Sequence, residues 1–108
     1  MDEECCEVVV TAPDADWLAG LTRTLVEERL AACGHVIAPI RSIYRWRGAV
    51  EDEAEARVAL HTRTSLLPAV FERTSELHPY DVPCVIALSL TGGAPEYLRW
   101  IVEETRDP

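Results

Sequence analysis

The spacing of apolar positions predicts strands and a helix in alternation along the first half of the chain. A β-branched run over Cys6–Ala12 indicates a strand, and leucines at helical spacing predict an amphipathic helix from about Ala15 to Ala32. Extended segments follow over Cys33–Trp46 and Val50–Thr62, and the second alternates apolar with polar residues. The Arg47-Gly48 pair between them is typical of a two-residue turn. The two segments are therefore expected to form one long hairpin.

The same patterns predict two helices and a strand in the second half. Thr64 is expected to cap a helix whose buried face includes Phe71 and Leu77. A nearly continuous apolar run over Val82–Thr91 is typical of a central strand, and Pro95 opens a last helix. The order βαββαβ with an extra C-terminal helix is the ferredoxin-like α+β pattern, with one antiparallel sheet and two helices on one face. The 108 residues fit a single domain over positions 1–108.

The predicted hairpin is long for a chain of this size. Arms of about 13 residues would extend for about 45 Å, whereas a compact domain of this length is about 34 Å across. A protruding hairpin presents unpaired strand edges, so closed pairing in a cyclic homo-oligomer is expected. Pro39 offers the alternative that the hairpin bends back over its own sheet.

Composition restricts the partners and the compartment of the protein. The chain has 19 acidic residues against ten basic ones, all arginine, so we expect no binding to nucleic acid or to anionic membranes. No apolar run approaches the roughly 20 residues that span a bilayer, and the acidic N-terminus is unlike a signal peptide. The four cysteines lack zinc-ribbon spacing. These features predict a cytoplasmic protein with reduced thiols.

The segment His78–Pro83 is a stiff connector that carries polar groups. It contains Pro79 and Pro83, and each proline restricts the residue before it to extended conformations. His78, Tyr80 and Asp81 place an imidazole, a phenol and a carboxylate within four positions. Rigid loops of this kind often carry binding sites. The alternative is a structural turn in which His78 is a hydrogen-bonded core residue and Tyr80 closes the edge of the core.

A second candidate site lies on the predicted hairpin. Cys33 and His35 are two positions apart on a strand, so their side chains leave the same face. A thiolate and an imidazole together suit copper or zinc, although a site needs one or two further ligands, from Cys84 or from a neighbouring subunit. The alternative is a buried thiol beside a hydrogen-bonded imidazole. A row of glutamates on the other arm is either a loose cation site or a solvated face.

Five segments of the chain form a set with a characteristic order and spacing. These segments are Leu30-Ala31-Ala32-Cys33, Arg41-Ser42-Ile43-Tyr44-Arg45-Trp46 with Gly48, His61-Thr62-Arg63, Glu76-Leu77-His78-Pro79-Tyr80-Asp81-Val82-Pro83 and Tyr97-Leu98-Arg99-Trp100-Ile101. In order and spacing they resemble the CutA divalent-cation-tolerance family over about residues 7–105. The resemblance implies a ferredoxin-like subunit in a tight homotrimer built by the long hairpins around a three-fold axis. It also implies a cytoplasmic protein linked to tolerance of divalent metals, copper especially, without an organic cofactor.

Several positions depart from what is usual in that family. His61 stands where the family usually has lysine, and His35 where asparagine is common. Asp81 replaces a usual glutamate, Arg45 a usual aromatic residue, and Ala38-Pro39 a usual Pro-Gly pair. The absence of this lysine argues against a site in which a long basic side chain binds an anionic ligand. The additional histidines favour binding of soft or borderline metals.

The resemblance and the connector together predict where a ligand would bind. A trimer of this kind leaves clefts between the sheet of one subunit and the hairpin of the next, so a site shared between chains is expected. Its walls are expected to be Tyr44, Trp46, His61, His78, Tyr80 and Asp81. A metal is expected either there, with His78 as a ligand, or at Cys33 and His35.

Three classes of function are considered. The first is a non-enzymatic, metal-responsive trimer that binds copper or another divalent metal or a small ligand. The second is a signalling trimer similar to the PII regulators, with a small-molecule effector at the subunit clefts. The chain lacks a glycine-rich phosphate loop, which ranks this class second. An enzyme is not expected, because the sequence contains no hydrolase signature such as HExxH and no recognisable nucleophile–base pair.

Overall fold

The computed structural model describes residues 3–108 and contains a four-stranded antiparallel sheet with helices on both faces. The elements are β1 (Cys5–Ala12), α1 (Ala15–Glu27), β2 (Cys33–Trp46), β3 (Ala49–Arg63), a short 3-10 turn (Thr64–Leu66), α2 (Leu67–Leu77), β4 (Val85–Ser89) and α3 (Pro95–Glu104). The strand order is β2-β3-β1-β4, and every pairing is antiparallel. This arrangement confirms the predicted ferredoxin-like α+β fold.

The main core lies between the sheet and helices α1 and α2. One face of β1 contributes Val8 and Val10, which are fully buried, and α1 contributes Leu18 and Leu25. Burial of each such side chain stabilises the fold by about 1.5–3 kcal/mol. On the opposite face of the sheet, α3 packs with Ile101 in a smaller cluster. Helix α3 thus covers part of the sheet face that α1 and α2 leave open.

The hairpin of β2 and β3 extends beyond the body of the domain. Its pairing runs from Cys33 opposite His61 to Trp46 opposite Ala49, with a bulge between Ile37 and Ile40 in place of a reversal of the chain. The molecule therefore measures 48 × 25 × 22 Å. Arg47 and Gly48 both adopt positive φ, at 50° and 85°, as a tight hairpin turn requires. Many apolar side chains along the hairpin remain exposed, namely Val36, Ile37, Ile43, Tyr44, Trp46 and Val50.

Several element boundaries differ from the prediction. Helix α1 ends at Glu27 instead of Ala32, because Arg29 adopts a φ of 60° and the N–H groups of Leu30 and Ala31 turn back to the Leu25 carbonyl. The first turn after Thr64 is a 3-10 turn, and α2 has no side-chain cap. These details depend on how the chain leaves each element, which hydrophobic periodicity does not determine.

The burial of two predicted core segments also differs. Phe71 and Leu77 of α2 are 38% and 37% exposed, so the buried side of this helix is narrower than predicted. Strand β4 lies at the edge of the sheet within one chain, and its Ile86 and Leu88 are 50% and 47% exposed. The prediction of a central strand is therefore wrong for the single chain, because an apolar run indicates burial and does not say what covers it. None of the helices in residues 3–108 is long and apolar enough to cross a membrane.

Candidate metal centre and ligand cleft

The sheet face under α3 brings three potential metal ligands together. In the register of the sheet, His61 of β3 lies between Cys33 of β2 and Glu7 of β1. His35 follows Cys33 by two positions and projects from the same face. One ligand atom from each of Cys33, His35 and His61 lies within 4.8 Å of the other two. The sequence-predicted pair is thus joined by a third donor from the neighbouring strand.

Hydrogen bonds orient the ring of His61 within this cluster. Its Nε2 lies 2.9 Å from Glu7 Oε1. A carboxylate accepts hydrogen bonds, so Nε2 carries the ring proton and Nδ1 keeps its lone pair. Nδ1 faces the Sγ atom of Cys33 at 3.7 Å, and it also contacts the hydroxyl of Tyr97 from α3. The Tyr97 oxygen lies 3.3 Å from Cys33 Sγ, so the four side chains form one connected network.

The network is half-buried, and its exposure differs from one side to the other. The His61 side chain is only 13% exposed, while His35 is exposed to solvent. Burial raises the pKa of Tyr97, and the proximity of Cys33 and Glu7 raises it further. Tyr97 is therefore a neutral hydroxyl that donates to His61 Nδ1. One sulfur and two imidazole nitrogens form a donor set that suits copper or zinc.

The order Cys33, His61, Glu7 is also the order of a nucleophile, a base and an orienting carboxylate. No such pair was recognised in the sequence, because the three residues are brought together only by the pairing of three strands. Tyr97 contacts both Cys33 Sγ and His61 Nδ1, so it competes for the contact that a thiol–imidazole pair needs. The convergence of His35 as a further donor favours metal coordination.

A separate cleft lies at the far end of the hairpin. Its volume is about 840 Å³, and its walls come from the hairpin end and from the connector that follows α2. Tyr44, Trp46, Tyr80 and Asp81 all line it, so the structure brings four of the six predicted cleft residues together. Cys84 lines the same cleft and is therefore not a fourth ligand for the cluster under α3.

Glutamates of β3 give the cleft its charge. Tyr80 donates a hydrogen bond of 2.8 Å to Glu55, which is only 6% exposed, and Tyr44 donates one of 3.1 Å to Glu53. The glutamate row was predicted as either a loose cation site or a solvated face, and the structure places Glu55 in neither setting. Burial and the adjacent Glu55 carboxylate together raise the pKa of Tyr80. Burial raises the pKa of Tyr44, and the Glu53 carboxylate raises it further.

His78 and His61 do not line this cleft. The Nε2 atom of His78 lies 2.8 Å from the Thr11 carbonyl oxygen and donates to it, while Nδ1 accepts the backbone N–H of Tyr80 at 3.1 Å. Both ring nitrogens are thus engaged, and the ring packs edge-on against Trp17 with centroids 5.0 Å apart. His78 therefore holds the connector to β1, which is the structural role given above as the alternative to a binding site. His61 lies in the cluster with Cys33 and His35.

Sequence reasoning missed two members of the cluster. Glu7 falls on the first predicted strand and Tyr97 on the last predicted helix, and neither carries a local motif for metal binding. Alternation along β1 places Glu7 on the face away from Val8, and that was the only available signal. Recognition of Tyr97 requires knowledge that α3 crosses this face.

A model of the family described as CutA1 divalent ion tolerance protein matches residues 6–104. The chloroplastic protein CutA of Arabidopsis thaliana is 41% identical over 100 residues, which are 93% of this chain and 55% of that protein. The divalent-cation tolerance protein CutA of Thermus thermophilus is 41% identical over 98 residues, which are 91% of this chain and 95% of that protein. The chain thus spans about half of the plant relative and almost all of the bacterial one.

Solved structures agree with this match over the whole fold. The crystal structure of CutA1 from Oryza sativa superimposes with a TM-score of 0.95 at 38% identity, covering 99% of this chain and 98% of that one. The structure of the divalent cation tolerance protein from Thermus thermophilus gives a TM-score of 0.91 at 39% identity, covering 94% and 99%. The chain therefore belongs to the CutA1 divalent ion tolerance family.

Proposed function

We propose that this protein is a cytoplasmic homotrimer that supports tolerance of divalent metals, copper in particular, by binding a metal or a small ligand and not by catalysis. The observation that carries the proposal is the meeting of Cys33, His35 and His61, whose ligand atoms lie within 4.8 Å of one another. The matching family is described by divalent ion tolerance, and a cluster of this kind can coordinate a metal ion directly.

The proposed trimer is supported by surface that one chain leaves uncovered. The hairpin exposes Ile43 and Val50 at 63% each, and β4 exposes Ile86 at 50%. Both edge strands, β2 and β4, have backbone groups available for pairing with another chain. Association through these edges would bury the apolar residues and would remove both free edges. Sedimentation is expected to give a trimer, and a monomer at micromolar concentration would contradict the proposal.

The metal role is tested in cells and with the purified protein. A strain that lacks this protein is expected to grow more slowly than its parent as copper rises, and expression of the chain is expected to restore growth. Calorimetric titration of the purified protein with copper and zinc salts is expected to give saturable binding in proportion to the number of subunits. Equal growth of the two strains at every copper concentration would remove the tolerance role, whatever the titration gives.

A second candidate function is the binding of a small-molecule effector, as in PII-like signalling trimers. It is supported by the cleft of about 840 Å³, in which Trp46 and Tyr80 offer aromatic walls beside hydrogen-bonding groups. A panel of nucleotides, titrated beside the metals, separates the two candidates. Saturable binding of a nucleotide that Trp46→Ala abolishes would favour the effector role. A response to metals alone would favour the first proposal.

A further inference from the structure

We infer that Cys33, His35 and His61 form a site for a thiophilic d10 metal ion, Cu(I) or Zn(II), in which Glu7 orients His61 and the Tyr97 hydroxyl gives up its contact with His61 when the ion binds. This inference rests on the proposed metal-binding function and adds to it the class of metal and the role of each residue. All three ligands come from the paired strands β2 and β3 of one chain.

The separation of the donors fits coordination of one ion. Zinc binds thiolate at about 2.3 Å and imidazole at about 2.0–2.1 Å, so tetrahedral geometry places the two donors about 3.5 Å apart. Cys33 Sγ and His61 Nδ1 lie 3.7 Å apart. His35 completes the set within 4.8 Å, and its exposed ring lies edge-on to the His61 ring with centroids 5.6 Å apart. A trigonal Cu(I) site needs only these three donors, whereas zinc requires a fourth.

Glu7 determines which nitrogen of His61 faces the metal. Its carboxylate lies 2.9 Å from Nε2, on the side of the ring away from Cys33. The contact fixes the proton on Nε2 and leaves the lone pair of Nδ1 directed at Cys33 and Tyr97. A carboxylate–histidine–metal arrangement of this kind orients the ring and raises its basicity. Glu7 is therefore a positioning residue that acts through His61.

Tyr97 covers the position that a metal would occupy. Its hydroxyl contacts both His61 Nδ1 and Cys33 Sγ, the two atoms that would bind the ion. On binding, the Cys33 S–H bond breaks, the proton passes to the solvent, and the sulfur and Nδ1 each donate an electron pair to the metal. The Tyr97 hydroxyl then loses its contact with Nδ1. Trp100 stacks on the Tyr97 ring with centroids 5.6 Å apart, so its fluorescence reports this change.

The experiment uses the reduced full-length protein under anaerobic conditions, with Zn(II) and Cu(I) in competition with a chelator. Co(II) is the spectroscopic probe, because its thiolate bond gives an absorption band that imidazole and carboxylate ligands do not. The variants are Cys33→Ser, His35→Asn and Glu7→Gln. Cys84→Ser and Glu72→Gln are matched controls, since these residues lie outside the cluster. His35 is exposed, so its replacement tests the site without disturbing the core.

The expected results differ from one variant to the next. The parent binds one metal per subunit with a thiolate band and a change in tryptophan fluorescence, and Cys33→Ser removes the band. Glu7→Gln weakens the affinity by about 10–100-fold while the band remains, as expected for a residue that orients a ligand. His35→Asn weakens the affinity, and both control variants match the parent.

Three outcomes overturn the inference. The first is the absence of metal binding by the parent, in which case the cluster is only a hydrogen-bonded network. The second is a parent that binds metal without a thiolate band. The third is equal affinity in the parent, Cys33→Ser and His35→Asn, which would place the metal elsewhere. The last two outcomes overturn the inferred site but leave the proposed function intact. Conversely, if the cluster binds metal but loss of the protein does not affect growth on copper, the inferred site stands and the proposed function fails.

Discussion

The hydrogen bond between Tyr80 and Glu55 is the polar contact most open to a quantitative test. Tyr80→Phe removes the hydroxyl and leaves the ring in place. The Glu55 carboxylate, 6% exposed, then loses a donor at 2.8 Å. A hydrogen bond to a charged group is worth about 1.5–3 kcal/mol. Because Tyr80 is itself partly exposed to solvent, we expect the lower end, a loss of about 1.5 kcal/mol in the free energy of unfolding.

The measurement is urea unfolding at one fixed protein concentration, because association is expected to contribute to the apparent stability. Glu55→Gln keeps an oxygen that accepts from Tyr80 but removes the charge. In that background Tyr80→Phe should cost only about 0.5–1 kcal/mol. Tyr44→Phe is the matched control, since its partner Glu53 is exposed to water, and no measurable change is expected. Equal losses for Tyr80→Phe in the parent and in Glu55→Gln would refute the assigned role of the charge.

The same contact predicts a dependence on alkaline pH. Burial and Glu55 hold the pKa of folded Tyr80 above its ordinary value, so the unfolded chain loses this proton first. The contribution of Tyr80 to stability is complete below about pH 10 and declines as the pH rises beyond it. The difference in stability between the parent and Tyr80→Phe should therefore shrink above about pH 10. A difference that stays constant from pH 8 to pH 11 would contradict the raised pKa.

Four further predictions concern packing and assembly. Gly34→Ala should lower the free energy of unfolding by about 1–3 kcal/mol, because its Cβ would lie 2.6 Å from Thr22 Cγ2 and 2.8 Å from Leu60 Cδ2. Gly20→Ala, whose Cβ would meet no atom within 4 Å, should stabilise helix α1 by about 0.5–1 kcal/mol in the same urea assay. Trp46→Ala should shift sedimentation toward smaller species, and unchanged assembly would argue against a role of the hairpin end in the interface. If the protein is a trimer, its thermal midpoint should rise with protein concentration, and a midpoint independent of a hundredfold dilution would contradict coupled folding and assembly.

The fold and the extent of the hairpin could be predicted from the sequence because they depend on local periodicity. Apolar residues at spacings of two and of three to four define which segments are strands and helices. The predicted range Cys33–Trp46 matches β2 at both ends, and the Arg47-Gly48 turn lies where glycine allowed it. Counting residues also shows that this hairpin is longer than the diameter of a compact domain of this size. The end of α1 could not be predicted in this way, since Arg29 adopts a positive φ that glycine normally supplies.

The candidate metal centre depends on the register between strands, which a local pattern does not contain. The spacing of Cys33 and His35 placed two donors on one face, but only the pairing of β2 with β3 sets His61 opposite Cys33. The pairing of β1 with β3 then brings in Glu7 from 54 positions away, and the packing of α3 brings in Tyr97. A shift of one residue in either register would turn these side chains to the other face of the sheet.

Tertiary packing likewise decided the roles of His61 and His78. From the sequence, both His61 and His78 were expected to line the ligand cleft, and each lies at the end of a predicted element. Packing of the connector against β1 engages both nitrogens of His78, while His61 keeps one lone pair directed at a thiol. Residue types and spacings therefore determined which chemistry was available to this chain. The long-range contacts of the sheet determined which of those groups meet, since hydrogen bonding within a few ångströms assigns each imidazole either to the core or to a site.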